Sequence, residues 1–198
     1  AFERGVSRVA VGGETDESGA TIERWGLIDR KGSVLRKPDL ACIEPFAEGI
    51  AGVNSGGKWG MGRLFGGVWG YIDSGGKTLV MPRFERAGRF SDGLAAVRLE
   101  GRWSYITPKG KQITEHTFEQ ARAFADGLAI VRTDGAAGVI DRNGDFILGA
   151  EYNSVSSFRD GLTVIRQGMQ HGLANASGRV VIAPKAADLQ LIGEGLAA

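Results

Sequence analysis

A nine-residue pattern recurs along the chain at a spacing of 34 residues. It consists of Phe, a variable residue, Asp, Gly and then a short apolar run ending in Arg. Residues 90–98, 124–132 and 158–166 carry it in register. A cut-off copy lies at 192–198, and two weaker copies begin at Phe2 and Phe46. Since one short repeat cannot bury its apolar residues alone, this periodicity requires each repeat to pack on its neighbours.

Two more apolar strips follow each copy, separated by a turn that contains Gly. The strips are four to six residues long, rich in β-branched and aromatic residues, and bounded by Gly, Asn, Asp and Pro. This pattern is typical of strands and hairpins and not of helices. We therefore predict an all-β fold in which each repeat is an antiparallel meander of three strands, with a short fourth strand around residues 118–123. In the second hairpin, an Asp side chain is expected to bond the backbone two residues further on.

The repeats account for nearly the whole chain, which we interpret as a single repeat domain. The predicted units are 2–45, 46–89, 90–123, 124–157 and 158–191, followed by a partial unit at 192–198. Two arrangements would cover the apolar faces, namely radial closure into a propeller and stacking into an open β-solenoid. Propeller-like closure is preferred, although 34 residues are few for a four-stranded blade.

The second strip carries a recognisable motif. Its clearest copy is Trp69-Gly70-Tyr71-Ile72-Asp73, which is followed by Gly76-Lys77 and Pro82-Arg83-Phe84. These residues resemble the WG repeat, a β-repeat of bacterial proteins. The motif departs from the family pattern where Trp becomes Ala137 or His171 and where Gly becomes Ser104. The resemblance implies a binding scaffold and favours a periplasmic or cell-envelope location, and it supplies no catalytic residues to transfer.

Composition narrows the set of partners. The formal net charge of +1 gives no basis for a nucleic-acid partner. No apolar run approaches the roughly 18 residues that would suggest a membrane-spanning helix, so membrane insertion is not expected. The single cysteine, Cys42, precedes Ile43 and is interpreted as a small buried apolar residue.

Catalysis is not expected, and neither is a metal or another cofactor. The only histidines, His116 and His171, lie in different repeats, and no His, Cys or carboxylate cluster has metal-ligand spacing. An acidic residue precedes the Gly of each pattern, and we assign it to a turn in which its carboxylate bonds local backbone N–H groups. These residues are Glu48, Asp92, Asp126, Asp160 and Glu194. Arg98, Arg132 and Arg166 form a second column, interpreted as a solvated edge that pairs with the acidic residues, with a weak anion-binding stripe as the alternative.

Two insertions of ten residues, around 12–19 and 57–66, break the symmetry between the first and second strands of the first two units. Insertions in a repeat protein map to one face, which is often the binding face. The alignment leaves open whether Trp59 or Trp69 holds the WG position. We predict a protein-protein interaction site, with a carbohydrate-binding module as the alternative. The candidate binding residues are Trp59, Arg63, Phe65, Trp69, Trp25, Glu14, Asp16 and Glu17.

Overall fold

A computed structural model describes residues 5–15, 21–60, 62–189, 191–192 and 196–197 of the 198-residue chain. Every regular element in this part of the chain is a β-strand, so the all-β class is confirmed. No helix in the described ranges is long and apolar enough to cross a membrane. The chain divides into two compact units. The first runs to Gly101 and includes Tyr105–Lys111, and the second takes Arg102–Ser104 and the residues from Gln112 onward.

The predicted antiparallel meanders are present as a series of separate sheets. The first sheet has the order β1-β2-β3, with strands Val6–Thr15, Thr21–Asp29 and Val34–Leu40. The second has the order β4-β5-β8-β9, with strands Cys42–Ile43, Ile50–Ser55, Val68–Asp73 and Thr78–Phe84. Between β5 and β8, strands β6 (Lys58–Gly60) and β7 (Arg63–Phe65) form a two-stranded sheet of their own.

The later repeats continue this order. The third sheet, β10-β11-β12, contains Arg86–Ala87, Ala95–Leu99 and Arg102–Ile106. The fourth, β13-β14-β15-β16, contains Gln120–Ala121, Leu128–Thr133, Ala136–Asp141 and Phe146–Tyr152. The fifth, β17-β18-β19-β20, contains Ser154–Val155, Leu162–Gln167, Gln170–Asn175 and Val180–Ala186. Two short strands follow, β21 (Leu191–Ile192) and β22 (Leu196–Ala197).

The predicted short fourth strand exists at Gln120–Ala121, and it pairs with the first strand of the next repeat. Gln120 lies opposite Arg132, and Ala121 lies opposite Val131. Each four-stranded sheet therefore begins a few residues before the acidic turn. Every sheet formed by the described residues is open, since its strands follow one another in a line that does not close on itself.

Apolar clusters lie between consecutive sheets inside each unit. In the first unit, Leu27 of the first sheet packs with Val53 and Ile72 of the second. Tyr71 and Val80 of the second sheet pack with Val97 of the third. In the second unit, Val139 of the fourth sheet packs with Ile165 of the fifth. Burying each such side chain stabilises the fold by about 1.5–3 kcal/mol, so stacking of sheets supplies the core that one meander lacks.

Two kinds of side chain shape the hairpins. The Asp29, Asp73, Asp141 and Asn175 side chains each accept hydrogen bonds from the backbone N–H groups two and four residues on, at 2.8–3.1 Å. This confirms the predicted Asp turn and shows that Asn serves equally well.

The acidic residues before Gly have backbone φ near +50°. Glu48, Asp92, Asp126 and Asp160 have φ of 52°, 53°, 52° and 50°, and each is followed by a Gly that also has positive φ. Two successive residues of this kind define the two-residue hairpin turn that suits twisted strands. The turn assignment is therefore correct, but Glu48 accepts its hydrogen bond from the backbone N–H of Gly93, in the next repeat, at 3.0 Å. The predicted local bond is wrong for this residue. Glu194 lies outside the described residues.

The Gly of the WG motif is required by a close backbone approach. The third strand bulges where it passes this residue, as the register shifts in the pairing of β8 with β9 and of β15 with β16 show. A Cβ atom at Gly70 would lie 2.5 Å from the carbonyl oxygen of Val80, and one at Gly138 would lie 2.8 Å from that of Leu148. Both distances are shorter than non-bonded contacts allow, so a side chain here would displace the third strand.

The third repeat supports this explanation because it carries Ser104 at the same position. Residues 112–117 form no strand there, and isolated bridges at Gln112 and at Phe118, the latter opposite Trp103, take the place of a ladder. The Ser104 hydroxyl is buried and accepts a hydrogen bond from the Gln112 side chain at 3.1 Å. Loss of the Gly thus coincides with loss of the paired third strand.

Gly138→Ala is expected to destabilise the protein by about 1–3 kcal/mol, because the added methyl group overlaps the bulged strand. Gly149→Ala is the matched control in the same sheet, where an added Cβ atom meets nothing within 4 Å. Thermal unfolding should show a lower Tm for the first variant and an unchanged or higher Tm for the second. Equal Tm values would refute the close-approach explanation.

The Asp29 turn should show a defined pH dependence. The backbone N–H groups of Ser33 and Lys31 hold the pKa of this carboxyl below its ordinary value of 3.8. Because the folded-state pKa is lowered, the stability from this turn is present above pH 3.8 and is lost as pH falls through the lower folded-state value. Asp29→Asn keeps the turn and removes the titration. Its Tm should therefore fall less than that of the unaltered protein on acidification, and parallel Tm curves would contradict this assignment.

Candidate functional site

Both insertions form antiparallel strands where the sequence predicts loops. The first lengthens the β1–β2 hairpin, in which pairing runs from Val6 opposite Asp29 to Thr15 opposite Thr21 with one irregularity. The second folds into the β6–β7 hairpin, in which Trp59 lies opposite Leu64. The described part of the first insertion therefore extends the first sheet, and the second insertion forms the separate two-stranded sheet of β6 and β7.

The structure resolves which tryptophan holds the WG position. Trp69 lies opposite Asn54 on one side and Phe84 on the other. Trp25 has the same placement in the first sheet, between Ala10 and Leu40. Trp69 therefore belongs to the column of Trp25, Trp103, Ala137 and His171, which we call the Trp column. Trp59 lies outside this column, on the inserted hairpin.

Trp59 anchors the inserted hairpin. Its indole Nε1 donates a hydrogen bond of 2.8 Å to the backbone carbonyl of Ala41, a fully buried residue between the first and second sheets. Strand β6 lies beside β2, so the half-buried Trp59 ring belongs to the contact between the hairpin and the first sheet. Its function in the structure is to hold the hairpin in place.

Asn54 fixes the base of the same hairpin, and sequence reasoning missed it. This fully buried side chain accepts a hydrogen bond from the Gly57 backbone N–H at 3.0 Å and donates one to the Gly66 carbonyl at 3.3 Å. A Cβ atom at Gly67 would lie 2.3 Å from the Asn54 side-chain oxygen, so Gly is needed there. The later repeats carry Arg at this position, and the change to Asn just before the insertion was a signal available in the sequence.

Exposed apolar and cationic groups lie on the hairpin and at the start of β8, which follows it. Phe65 is 41% exposed and Val68 is 39% exposed. The exposed Arg63 places its guanidinium carbon 4.3 Å from the centroid of the Phe65 ring. A cation stacked on an aromatic face gains electrostatic attraction and limits the motion of both side chains. We call Arg63, Phe65 and Val68 the hairpin face.

The remaining predicted site residues are distributed differently. Trp25 and Trp69 are half-buried and pack against the apolar clusters between sheets, which gives them a packing role. Glu14 lies on β1 opposite Ile22. Asp16 and Glu17 lie outside the described residues. The structure therefore places Trp59, Arg63 and Phe65 on one hairpin. Trp25 and Trp69, the two WG tryptophans, instead pack against the apolar clusters between sheets.

Arg98 and Arg132 have partners other than the acidic turn residues that the sequence predicts. Arg98 Nε lies 3.6 Å from a carboxylate oxygen of Glu85. Glu85 directly precedes β10, the short first strand of the same sheet. Arg132 donates to the backbone carbonyls of Asn153, at 3.1 Å, and Gly135. The predicted edge position is wrong, because Arg98, Arg132 and Arg166 lie on inner strands and pair with Arg86, Gln120 and Ser154 of the neighbouring strands.

Residues capable of catalysis are occupied in structural contacts. Burial raises the pKa of the Cys42 thiol to about 11, so the group is a protonated, apolar filler. The His171 ring has Nδ1 3.1 Å from the carbonyl oxygen of Ala187. Within the described ranges, no group of three or more His, Cys, Asp or Glu side chains is placed to hold a metal ion.

The fold defines a tandem β-repeat protein in which the β6–β7 hairpin is inserted between two strands of the second sheet. The family model of the WG containing repeat matches residues 25–59, 69–103, 103–135 and 138–168, which together cover more than half of the chain. The chain therefore belongs to the WG containing repeat family. A search of curated protein sequences found no significant match.

Several solved structures resemble the chain at low identity. KlHsv2 with loop 6CD replaced by a Gly-Ser linker is 14% identical, with 89% of this chain and 65% of that chain covered and a TM-score of 0.49. Kluyveromyces lactis Hsv2 with the complete loop 6CD is 15% identical, with 88% and 62% covered and a TM-score of 0.45. A protein of unknown function from Bacteroides caccae is 13% identical, with 85% and 78% covered and a TM-score of 0.30. The chain thus spans less than two thirds of the Hsv2 chains, and TM-scores below 0.5 define no function for it.

Asn54→Ala should loosen the inserted hairpin at its base. The substitution leaves the Gly57 N–H and the Gly66 carbonyl without their partner, at a cost of about 1–3 kcal/mol. We expect faster hydrogen exchange and faster proteolysis within residues 56–67. Asn143→Ala, in an exposed turn, is the control and should change stability by no more than about 0.5 kcal/mol. Unchanged protection in the hairpin of the Asn54 variant would show that its amide does not hold the base.

Proposed function

We propose that the chain is a non-catalytic scaffold that binds another protein through the hairpin face. The observation that carries this proposal is the combination of an anchored hairpin with an exposed Phe65–Arg63 pair. Trp59 and Asn54 hold the hairpin at two points, while Phe65 remains 41% exposed. Aromatic residues and Arg are the residue types most enriched in the energetically dominant centres of protein interfaces.

Preorganisation supports the same proposal. A surface that is already ordered in the free protein loses little conformational entropy when it binds. The cation–aromatic contact of 4.3 Å and the regular β6–β7 pairing restrict the hairpin face in this way. Arg63 would complement a carboxylate, and Phe65 and Val68 would complement an apolar side chain. The expected partner surface is therefore apolar with an adjacent acidic group.

The non-catalytic part of the proposal rests on the state of the reactive groups. The Cys42 thiol is buried and protonated, and His171 and the Asp turn residues take part in backbone hydrogen bonds. The family resemblance adds a bacterial periplasmic or cell-envelope setting. An envelope fraction is accordingly the first material in which to seek the partner.

The test is affinity capture from the lysate and envelope fraction of the source organism. One bait is the unaltered chain, and the other replaces residues 56–67 by the two-residue Glu-Gly turn of the third repeat. A protein retained only by the unaltered chain would support the hairpin face as its site. Retention of polysaccharide by both baits would instead favour the carbohydrate-binding alternative.

Phe65→Ala should weaken the captured partner's binding by about tenfold or more, because it removes the exposed aromatic group of the hairpin face. Met81→Ala is the matched control, since this side chain is 72% exposed and lies in β9. Isothermal titration calorimetry would measure both dissociation constants. Equal values for the two variants would place the interface elsewhere.

A further inference from the structure

The fifth repeat contains an open cleft of about 440 Å³ whose walls are rich in hydrogen-bond donors. It lies entirely within the second compact unit. Its polar lining comes from Ser154, Ser156, Ser157, Arg159, Arg166 and His171. None of the described residues that line it is acidic, so the cleft combines two permanent cations with three hydroxyl groups and an imidazole.

The cleft lies where the Trp column has lost its indole ring. His171 lies opposite Arg166, as Trp69 lies opposite Asn54 in the second sheet. In the fourth repeat, where the column carries Ala137, a smaller space of about 70 Å³ lies beside Arg132 and Ala137. Space thus lies next to the Arg column in both of the repeats whose Trp column lacks the indole ring.

The charge that balances the Arg column is also missing in the fifth repeat. Glu85, Glu119 and Asn153 are equivalent, because each donates its backbone N–H to the carbonyl of the facing Arg at 2.8–2.9 Å. Glu85 forms an ion pair with Arg98. Asn153 takes the place of that carboxylate beside Arg166, and its neutral side-chain oxygen accepts the Gly168 backbone N–H as the Glu85 and Glu119 carboxylates accept those of Gly101 and Gly135.

Arg166 is consequently left with an unused donor. Its Nε atom is buried and has no hydrogen-bond partner among the described residues. Arg98 Nε also lacks a hydrogen bond by distance, but the Glu85 carboxylate lies 3.6 Å away. A buried cationic N–H group without an acceptor is unfavourable. Arg166 also lines the cleft, where an anion would offset the charge of its guanidinium group.

The walls of the cleft are held by the sheet. Ser154 lies opposite Arg166 in the β17–β18 ladder, and the Ser156 backbone N–H donates to the Val164 carbonyl at 3.0 Å. The buried Thr163 hydroxyl donates to the Ser156 carbonyl at 2.7 Å, which fixes the serine segment from behind. The contact between His171 Nδ1 and Ala187 orients the imidazole ring.

We propose that this cleft binds a phosphate monoester of a small organic molecule. Guanidinium groups and hydroxyl groups are the donors that match the oxygen atoms of a phosphate dianion. The cleft volume lies within the range of small-molecule sites and exceeds what one inorganic ion would fill. This site is independent of the hairpin face, so either proposal can fail without the other.

The test is calorimetric titration of the full chain with O-phosphoserine, inorganic phosphate and serine at fixed ionic strength. We expect O-phosphoserine to bind with a dissociation constant of about 1 mM or tighter, inorganic phosphate to bind more weakly, and serine not to bind. Absence of O-phosphoserine binding would overturn the proposal. Equal or tighter binding of inorganic phosphate would overturn its assignment to an organic monoester.

Three variants locate the site. Arg166→Gln removes the donor, Asn153→Glu restores the carboxylate of the third sheet, and His171→Trp restores the indole ring. Each should weaken O-phosphoserine binding by about tenfold or more. Asn153→Glu and His171→Trp introduce residue types that the third sheet already carries at the equivalent positions, as Glu85 and Trp103. These two variants keep the test valid if Arg166→Gln fails to fold. Arg142→Gln, in an exposed turn, removes the same charge and should change affinity less than about twofold. Equal loss of O-phosphoserine affinity in all four variants would overturn the assignment to the cleft, and so would unchanged affinity in all four.

Discussion

The close approach between the second and third strands is the constraint on which the repeat depends. A bulged third strand passes within 2.5 Å of where a Cβ atom would lie on Gly70, and similar approaches recur at Gly26, Gly138 and Gly172. Because this Gly has no side chain, the backbone of the third strand can pass close to the second strand. The apolar residues of the third strand then lie against the next sheet. Tolerance at the neighbouring position is much greater, because the Trp column accepts Ala137 and His171 within complete sheets. The Gly of the motif therefore carries the steric requirement, and the Trp contributes packing.

The fold could be predicted from the sequence to the extent that it depends on local, repeated chemistry. The strand strips, the Asp turn at Asp141 and the turn assignment of Asp126 all follow from residues close together in the chain. Contacts between repeats could not be derived in this way. The hydrogen bond from the Gly93 backbone N–H to Glu48 joins residues 45 positions apart. The two-residue strand β13 pairs with β14 of the following repeat, and its own sequence does not specify this partner.

The candidate site shows the same division. Composition alone predicted Arg63 and Phe65 as contact residues, and the structure places both on the β6–β7 hairpin. The assignment of Trp59 as a contact residue did not anticipate its bond to Ala41, which no pattern in the sequence specifies. Asn54 and Asn153 could have been found by comparing columns, since both replace a charged residue at a repeated position. Each departure from the repeat changes one local interaction on an otherwise regular scaffold, and both proposed binding sites arise at such departures.

Ser104 has a consequence for how the chain unfolds. Stacked repeats unfold as one block only when every nearest-neighbour interaction is strong enough to couple them. In the repeat that carries Ser104, isolated bridges at Gln112 and Phe118 replace the ladder formed elsewhere by the third strand, and the division between the two compact units falls there. We therefore expect the coupling between neighbouring repeats to be weakest at this repeat. We therefore expect the departure at Ser104 to favour unfolding in more than one step over a single transition.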